Sequence, residues 1–282
     1  MTFHFRNFAL WLAMSGFIFS AIQQAFPCPP EALGTSRILP LGAGKGLNIG
    51  LRTYPQTLAL ADHEVVLTFD DGPHPATTAR ILEALKAECV QATFFLIGRN
   101  ALAYPALVVR EKAEGHTIGT HSMTHPAQTL RNMSFDAAKA DIQKGMEAVS
   151  HIAFGKNQDI VSVPFFRFPG FGDSEALNMW LAERGIVNFG TDLWASDWQA
   201  MTPQTELNLV LRRLETTQRG IILFHDTKMQ TAAMLPDFLK TLKKYGYRIV
   251  HLVPGSEQPE LAPAPEGWTS QTEATLHRLF KH

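Results

Sequence analysis

The sequence predicts an α/β fold in which about seven parallel strands, alternating with helices, form a closed or nearly closed barrel. From Glu64 to Val253, strand-like apolar runs alternate with helix-like segments, at about 25–30 residues per repeat. Polar residues follow these strand-like runs, as expected where parallel strands end at one edge of a sheet. The 282 residues, 45% of them hydrophobic, suffice for one large α/β domain or two small ones. An open doubly wound sheet is the alternative architecture.

Seven strands are expected from short runs rich in β-branched and aromatic residues. In chain order they are Glu64–Phe69, Ala92–Ile97, Thr117–Gly119, Val161–Phe166, Ile186–Gly190, Gly220–Phe224 and Tyr247–Val253. Between them, apolar residues recur at helical spacing, as Ile81, Leu82 and Leu85 do. The helices predicted on this basis are Ala76–Glu88, Pro105–Glu114, Ser134–Ala153, Ser174–Arg184, Pro203–Thr216 and Ala232–Tyr245.

Residues 1–25 are predicted to be a signal peptide or a membrane anchor. The uncharged run Phe8–Ile22 follows His4 and Arg6, and its length of about 15 residues is short for a membrane span of roughly 20. Cleavage after Ala25 is the first interpretation, but Gln23 is a poor residue three positions before the cut, so an uncleaved anchor is the alternative. Either predicts an exported protein, periplasmic, in the cell envelope or secreted, that meets the membrane only through an uncleaved segment.

The remaining chain divides into three predicted parts. Residues 26–61 form an extended segment that wraps onto the domain, with a short hairpin around Gly44–Gly50. Residues 62–254 form the domain itself. Residues 255–282 form a mobile tail or a surface cover, within which Thr269–Phe280 is an amphipathic helix.

Cysteine count and net charge exclude several classes of protein. Cys28 and Cys89 are the only two cysteines, too few for a disulfide framework or a zinc finger. The favoured interpretation is a buried or half-buried free thiol at Cys89, with a Cys28–Cys89 bridge as the alternative. The net charge of −1 gives no basis for nucleic-acid binding.

Two short segments predict a metal site. The strand-like run that starts at Val65 ends in two adjacent acids, Asp70 and Asp71, whose joint ionisation is costly without a nearby cation. His121 and His125 stand four residues apart, so on a helical turn both imidazoles reach one ion. Two histidines and one carboxylate leave positions open for water and substrate, which is typical of a catalytic site. Zn²⁺ is the expected ion, and Co²⁺, Ni²⁺ or Fe²⁺ are alternatives. The simpler interpretation is an acidic turn and two loop histidines.

Five segments, in this order, resemble the motifs of polysaccharide deacetylases, the NodB homology domain of carbohydrate esterase family 4. They are Thr68–Pro73, His121–His125, Arg167–Gly170, Asp197-Trp198 and Leu223–His225, and the resemblance covers roughly Glu64–Val253. It implies the distorted (β/α) barrel of that family. It also implies a metal-dependent hydrolase that removes N-acetyl groups from N-acetylglucosamine units of a polysaccharide, which is peptidoglycan, a chitin oligosaccharide or an exopolysaccharide.

The resemblance also implies a role for each matched residue. Asp70 is the general base, and Asp71, His121 and His125 are the metal ligands. Arg167 pairs with Asp70, whereas Asp197 keeps the general acid His225 protonated. The residues implied to bind substrate are Gly170, Phe171, Trp194, Trp198 and Leu223, with Trp194 assigned equally to the sugar groove or the core.

The sequence departs from the family pattern at two positions. The family usually has an aromatic residue where Gly170 stands and often an acid where Trp194 stands, although Asp192 is close enough in sequence to compensate. Both departures bear on substrate preference more than on catalysis. Two rival functions remain: a related metal-dependent amidase or esterase acting on a small cyclic amide or an O-acetyl group, and a silent carbohydrate-binding module. The silent module predicts the loss of the base or of a metal ligand.

Overall fold

Ten strands form one sheet whose pairings are all parallel in the part of the chain that the structure describes. The computed structural model describes residues 28–42, 44, 46–155 and 163–279. The strands are β1 (Thr35–Leu41), β2 (Leu47–Ile49), β3 (Gln56–Leu58), β4 (Glu64–Asp70), β5 (Thr93–Leu96), β6 (Thr117–Thr120), β7 (Phe165–Phe166), β8 (Val187–Phe189), β9 (Leu193–Trp194), β10 (Gly220–His225), β11 (Arg248–Pro254) and β12 (Leu261–Pro263).

Eight α-helices accompany these strands in the described ranges. They are α1 (Thr78–Ala87), α2 (Gly98–Ala103), α3 (Pro105–Ala113), α4 (Phe135–Phe154), α5 (Glu175–Ala182), α6 (Pro203–Thr217), α7 (Met229–Lys244) and α8 (Gln271–Leu279). The side chains of Ser134 and Thr202 cap α4 and α6 by accepting a backbone N–H three residues on. None of the described helices has the length and apolar character needed to cross a bilayer.

The strand order runs β1-β11-β4-β5-β6-β7-β8-β2, and β10 pairs with β4 and β9 beside this path. Over the described ranges the pairings do not join the two ends of the path into a ring. The α/β class with a mainly parallel sheet is confirmed. The seven predicted strands correspond to β4 through β8, β10 and β11, although Val161 and Ser162 at the start of predicted strand four lie outside the described residues.

The segment before the domain contributes strands of its own. β1 pairs with β11 and β2 with β8, both in parallel, while β3 pairs antiparallel with β12 near the C-terminus. The hairpin predicted around Gly44–Gly50 is therefore wrong. β2 pairs instead with β8 at the end of the strand order, where an edge strand presents unpaired backbone N–H and C=O groups. The predicted signal or anchor segment, residues 1–25, lies outside the described residues.

Cys28 and Cys89 form a disulfide, with their Cα atoms 5.9 Å apart. The favoured prediction of a free thiol at Cys89 is therefore wrong, because the start of the described chain returns to the C-terminal end of α1. This proximity is set by tertiary structure, and no spacing rule could reveal it. The bond closes a loop between residues 61 positions apart.

Strand β4 is buried along its whole length, and its two faces serve different purposes. Val65, Leu67 and Phe69 belong to a large apolar cluster that includes residues of α1, α6 and α7. The opposite face carries Val66, which packs in a second cluster built from strand residues such as Phe95, Phe165 and Ile221. Because side chains alternate along a strand, Thr68 and Asp70 share the face of Val66. The sheet therefore directs Asp70 toward this inner layer at the end of β4.

Candidate active site

The predicted site residues meet at one edge of the sheet because the strands that carry them are parallel. Asp70 ends β4, His225 ends β10, and these two residues are register partners across the sheet. His121 directly follows β6, and Arg167 directly follows β7. Residues far apart in sequence therefore share one end of the inner layer, which is where parallel α/β folds place their chemistry.

Three side chains at this edge could hold a metal ion. One donor atom from each of Asp71, His121 and His125 lies within 4.8 Å of the other two. Asp71 Oδ1 is 3.6 Å from His121 Nε2 and 3.5 Å from His125 Nε2. This Oδ1 atom is buried and has no hydrogen-bond partner among the described residues. A buried carboxylate oxygen without a donor, facing two imidazoles, fits the ligand set of a divalent cation.

The protonation state of His121 also suits a metal ligand. Its Nδ1–H donates to the backbone carbonyl of Arg167 at 2.7 Å, which leaves the lone pair of Nε2 facing Asp71. Burial lowers the pKa of His121 to about 4, so its ring is neutral at neutral pH. For Asp71, burial favours the neutral acid, but positive charge nearby, chiefly that of His225, holds its pKa below the ordinary value.

The two histidines lie on a loop and not on the helical turn expected from their spacing. Ser122 and His125 both have positive φ, 63° and 49°. The carboxylate of Asp141, on α4, fixes this loop by accepting the N–H groups of Met123 and Thr124 at 3.0 and 3.2 Å. Irregular backbone replaces the helix because these side-chain hydrogen bonds satisfy the loop N–H groups locally.

The loop also needs a glycine on the helix beneath it. A Cβ atom at Gly145 of α4 would lie 2.5 Å from the carbonyl carbon of Ser122 and 2.7 Å from the backbone nitrogen of Met123. Gly145 therefore lets α4 approach the loop between the two histidines. Sequence reasoning missed this residue, although glycine inside a long helix is itself a signal of close packing.

Asp70 lies beside the metal-ligand group and is paired with a buried arginine. Arg167 Nη1 donates to Asp70 Oδ1 at 2.6 Å, and neither side chain is exposed by more than 3%. Other guanidinium N–H groups donate to Thr68 Oγ1 and to the carbonyls of Phe189 and Gly190. Desolvation lowers the pKa of Arg167, but the Asp70 carboxylate opposes this effect. The guanidinium thus donates to four acceptors, which offsets part of the cost of burying its charge.

His225 faces the same group from the other side and is held by Asp197. Its Nδ1–H donates to Asp197 Oδ1 at 2.7 Å, and its backbone N–H donates to Asp197 Oδ2 at 2.6 Å. Nε2 points toward Asp71, 4.0 Å from Oδ2. Burial disfavours the imidazolium, but the Asp197 carboxylate outweighs it and raises the pKa of His225 to about 10. The ring therefore carries a proton that it can donate.

A second carboxyl group stands behind Asp197, and sequence reasoning missed it. Thr231 Oγ1 lies 2.8 Å from Asp197 Oδ2 and 2.9 Å from Glu206 Oε1, and all three residues are buried. The threonine hydroxyl has one hydrogen and donates it to only one carboxyl group. We assign this hydrogen to Asp197, the carboxyl group that also holds His225, so the contact with Glu206 places a proton on Glu206. Burial raises the pKa of Glu206 to about 8, which agrees with this assignment.

All five residues implied to bind substrate line one cavity together with the catalytic group. The cavity has a volume of about 310 Å³ and is walled by Phe168, Gly170, Phe171, Trp194, Trp198 and Leu223. Phe171 and Trp194 stack with ring centroids 6.4 Å apart, and Trp198 meets Trp194 and His225 edge to face. Trp194 is thus part of the cavity wall. Asp192 lines a different cavity, so the expectation that it compensates for an acid at position 194 is wrong.

The cavity also has a wall that the sequence did not predict. Thr272, Thr275 and Leu276 of α8 line it opposite the strand ends. Their pattern is that of any amphipathic surface helix, which gave no signal of a site. Within the described residues, the C-terminal segment therefore covers part of the surface through α8, and this cover reaches the active site.

Comparisons with known proteins agree with the geometry. Residues 59–177 match the family model described as polysaccharide deacetylase. A peptidoglycan-N-acetylglucosamine deacetylase of Bacillus cereus is 35% identical over 189 residues, 64% of this chain and 66% of the relative. A second from the same organism is 33% identical over 195 residues, covering 66% of this chain and 84% of that protein. The chain spans only 38% of the length of the peptidoglycan-N-acetylglucosamine deacetylases of Listeria monocytogenes that it matches.

A solved structure points the same way. The peptidoglycan deacetylase of Bdellovibrio bacteriovorus superposes with a TM-score of 0.68 at 31% sequence identity, covering 80% of this chain and 60% of that protein. Sequence, fold and the clustering of the motif residues at one sheet edge therefore agree. The chain belongs to the polysaccharide deacetylase family.

Proposed function

We propose that this protein is a metal-dependent hydrolase that removes N-acetyl groups from N-acetylglucosamine units of a polysaccharide. The observation that carries this proposal is that donor atoms of Asp71, His121 and His125 lie close together, between two hydrogen-bonded pairs of charged side chains. Asp70 with Arg167 lies on one side, and His225 with Asp197 lies on the other. Zn²⁺ is the proposed ion, because two imidazole nitrogens and one carboxylate oxygen with open positions are typical of catalytic zinc.

The chain's own residues supply the proton transfers of amide hydrolysis. A divalent cation, when bound, supplies the Lewis acidity that activates water and polarises the acetamide carbonyl. Asp70 accepts the proton of the attacking water, and Arg167 keeps that carboxylate oriented. As the carbon–nitrogen bond breaks, His225 donates its Nε2 proton to the departing amine. The products are acetate and a free amino sugar, and Asp197 holds the imidazole in position throughout.

Glycan binding is supported by the cavity walls. Phe171, Trp194 and Trp198 give flat apolar faces, which suit the apolar faces of sugar rings, while the catalytic groups provide polar contacts at the base. Trp198 and Leu223 are the proposed contacts of the acetyl methyl group, and the backbone near Gly170 is the proposed donor to the developing oxyanion. Peptidoglycan is the first substrate to test, because the relatives named above are peptidoglycan deacetylases.

Export is part of the proposal. The Cys28–Cys89 disulfide is of a kind that persists in oxidising compartments and is rare in the cytosol. The uncharged run Phe8–Ile22 is the proposed signal or anchor, and a polysaccharide of the cell envelope lies on the outer side of the membrane. Reducing the bond in purified protein and measuring the unfolding temperature tests whether the native fold depends on it.

The test of function combines metal analysis with product analysis. Purified protein is expected to contain one divalent ion and to release equal amounts of acetate and free amine from peptidoglycan or acetylated glucosamine oligomers. Asp70→Asn is expected to abolish turnover while the metal content is unchanged, whereas Asp237→Asn, at an exposed position in the middle of α7, is the matched control that leaves both unchanged. Acetate without amine would indicate an ester substrate. Full activity of Asp70→Asn would contradict the assignment of the base.

A further inference from the structure

We infer that Leu276 of α8 closes the substrate groove, so that the active site accepts the end of an N-acetylglucosamine chain or a short oligosaccharide in preference to a ring inside a long polymer. The inference rests on the proposed deacetylase function and adds the form of the substrate. It concerns the C-terminal helix, which contributes none of the proposed catalytic groups.

The first observation is the size of the catalytic cavity. Its volume of about 310 Å³ is at the small end of the range for ligand pockets, roughly 300–1,000 Å³. That space suits one acetylated sugar ring and not a run of rings. Thr272, Thr275 and Leu276 form the wall that limits it, and Leu276 is only 5% exposed.

The second observation is a separate cavity directly behind that wall. It has a volume of about 240 Å³ and is lined by Arg131, Asn132, Glu273, Leu276 and His277. Leu276 lines both cavities, so its side chain is the partition between them. The second cavity is rich in groups that donate and accept hydrogen bonds, as a sugar subsite would be, but the partition separates it from the catalytic group.

The wall is anchored to the body of the protein through the first turn of α8. Glu273 Oε2 accepts from Arg131 Nη1 at 2.9 Å, and Arg131 also donates to Asp173 Oδ1 at 3.0 Å. Thr272 Oγ1 donates to the carbonyl oxygen of Arg52 at 3.0 Å. Arg131 lies in the short 3-10 turn Leu130–Asn132, so the ion pair fixes α8 to the segment that follows the candidate metal ligands in sequence. Such a fixed wall selects substrate by shape, since binding a longer chain requires its displacement.

The experiment compares how wild type and variants discriminate between short and long glycans. Leu276→Ala joins the two cavities, and a chain ending at Ser270 removes the wall altogether. Ala274→Ser, on the exposed side of α8, is the matched control. The probes are acetylated glucosamine oligomers of two and six sugars. Affinity is measured from quenching of the fluorescence of the cavity tryptophans, and kcat/KM is measured from acetate release. Thermal unfolding checks that each variant is folded.

We expect the preference for the six-sugar oligomer over the two-sugar oligomer to rise about tenfold in Leu276→Ala and in the shortened chain, mainly through Kd and KM, with Ala274→Ser equal to wild type. An unchanged ratio in both altered proteins would overturn the inference. A wild type that already prefers the longer oligomer would overturn it as well. The ratio of the Kd values for the two oligomers can be measured without turnover. A protein that binds the oligomers but releases no acetate would contradict the proposed function. The Kd ratio would still decide whether Leu276 limits the length of the bound chain.

Discussion

Replacing Glu206 by glutamine should change how stability depends on pH. The unfolding free energy of Glu206→Gln minus that of wild type should rise as the pH increases from acidic to neutral. Glu206 is fully buried, and its contact with Thr231 requires a proton, since the threonine hydroxyl already donates to Asp197. Burial, with a contribution from the Asp197 carboxylate, raises the pKa of Glu206 from 4.5 to about 8. Glutamine keeps an N–H donor toward Thr231 and does not titrate.

The sign and size of the effect follow from proton linkage. Between pH 4.5 and about 8 the folded protein keeps a proton on Glu206 that the unfolded chain has lost. The stabilisation from this proton is complete below pH 4.5 and is lost as the pH rises through 8. Each pH unit in this window costs up to about 1.4 kcal/mol. From pH 5 to pH 7 the unfolding free energy of wild type should therefore fall by about 2 kcal/mol relative to that of Glu206→Gln.

Urea unfolding followed by tryptophan fluorescence measures this difference at pH 5, 6 and 7. Glu215→Gln is the control, because it makes the same chemical change at an exposed position of the same helix α6. The other titrating groups are common to wild type and variant and largely cancel in the difference. A gap between wild type and Glu206→Gln that stays constant from pH 5 to 7 would show that Glu206 is ionised in the native protein. In that case the hydrogen-bond assignment behind Asp197 is refuted.

Four further changes test other parts of the site. Gly145→Ala should cost about 1–3 kcal/mol of stability and reduce metal binding, because the new Cβ would collide with the carbonyl carbon of Ser122; urea unfolding and metal titration measure both. Arg167→Met should destabilise by about 3–5 kcal/mol by leaving a buried carboxylate unpaired, and adding Asp70→Asn should recover most of this loss. His225→Ala should lower kcat about 10²–10⁴-fold with the metal retained, and an unchanged kcat would remove it from the acid role. Cys89→Ser should cost about 2–5 kcal/mol, an effect that must vanish when wild type is measured under reducing conditions.

The strands and the groups at their ends could be predicted because both depend on local patterns. The run Val65–Phe69 is apolar except for Thr68 and is buried at every position, as in a strand covered on both faces, and the polar residues that follow it then lie at a sheet edge. Parallel pairing then brings the C-terminal ends of different strands to the same edge of the sheet. Once β4 and β10 lie in register, Asp70 and His225 become neighbours with no further information.

Other parts of the site depend on contacts that no local pattern encodes. The histidine loop takes positive φ at Ser122 because Asp141 and Gly145 of a distant helix allow and hold it, so a helical turn was the natural but wrong expectation. Glu206 lies in the first turn of α6, where an acid is explained by the helix dipole alone. Leu276 belongs to an ordinary amphipathic pattern, and only tertiary packing shows that it faces the catalytic cavity.

Charge balance connects the pairs on either side of the candidate metal ligands. Three carboxylates at the site, Asp70, Asp71 and Asp197, face two cations, Arg167 and protonated His225. His121 is neutral, so one of the three carboxylates has no compensating positive charge. We assign this charge to Asp71, because its buried Oδ1 lacks a donor among the described residues. Burial raises the pKa of two further carboxyl groups beside this site, Asp226 to about 7 and Glu206 to about 8, and an ionised Glu206 would add negative charge to a buried region. The protein therefore holds Glu206 protonated for the same reason that it would favour a divalent cation beside Asp71: the buried site tolerates little net charge.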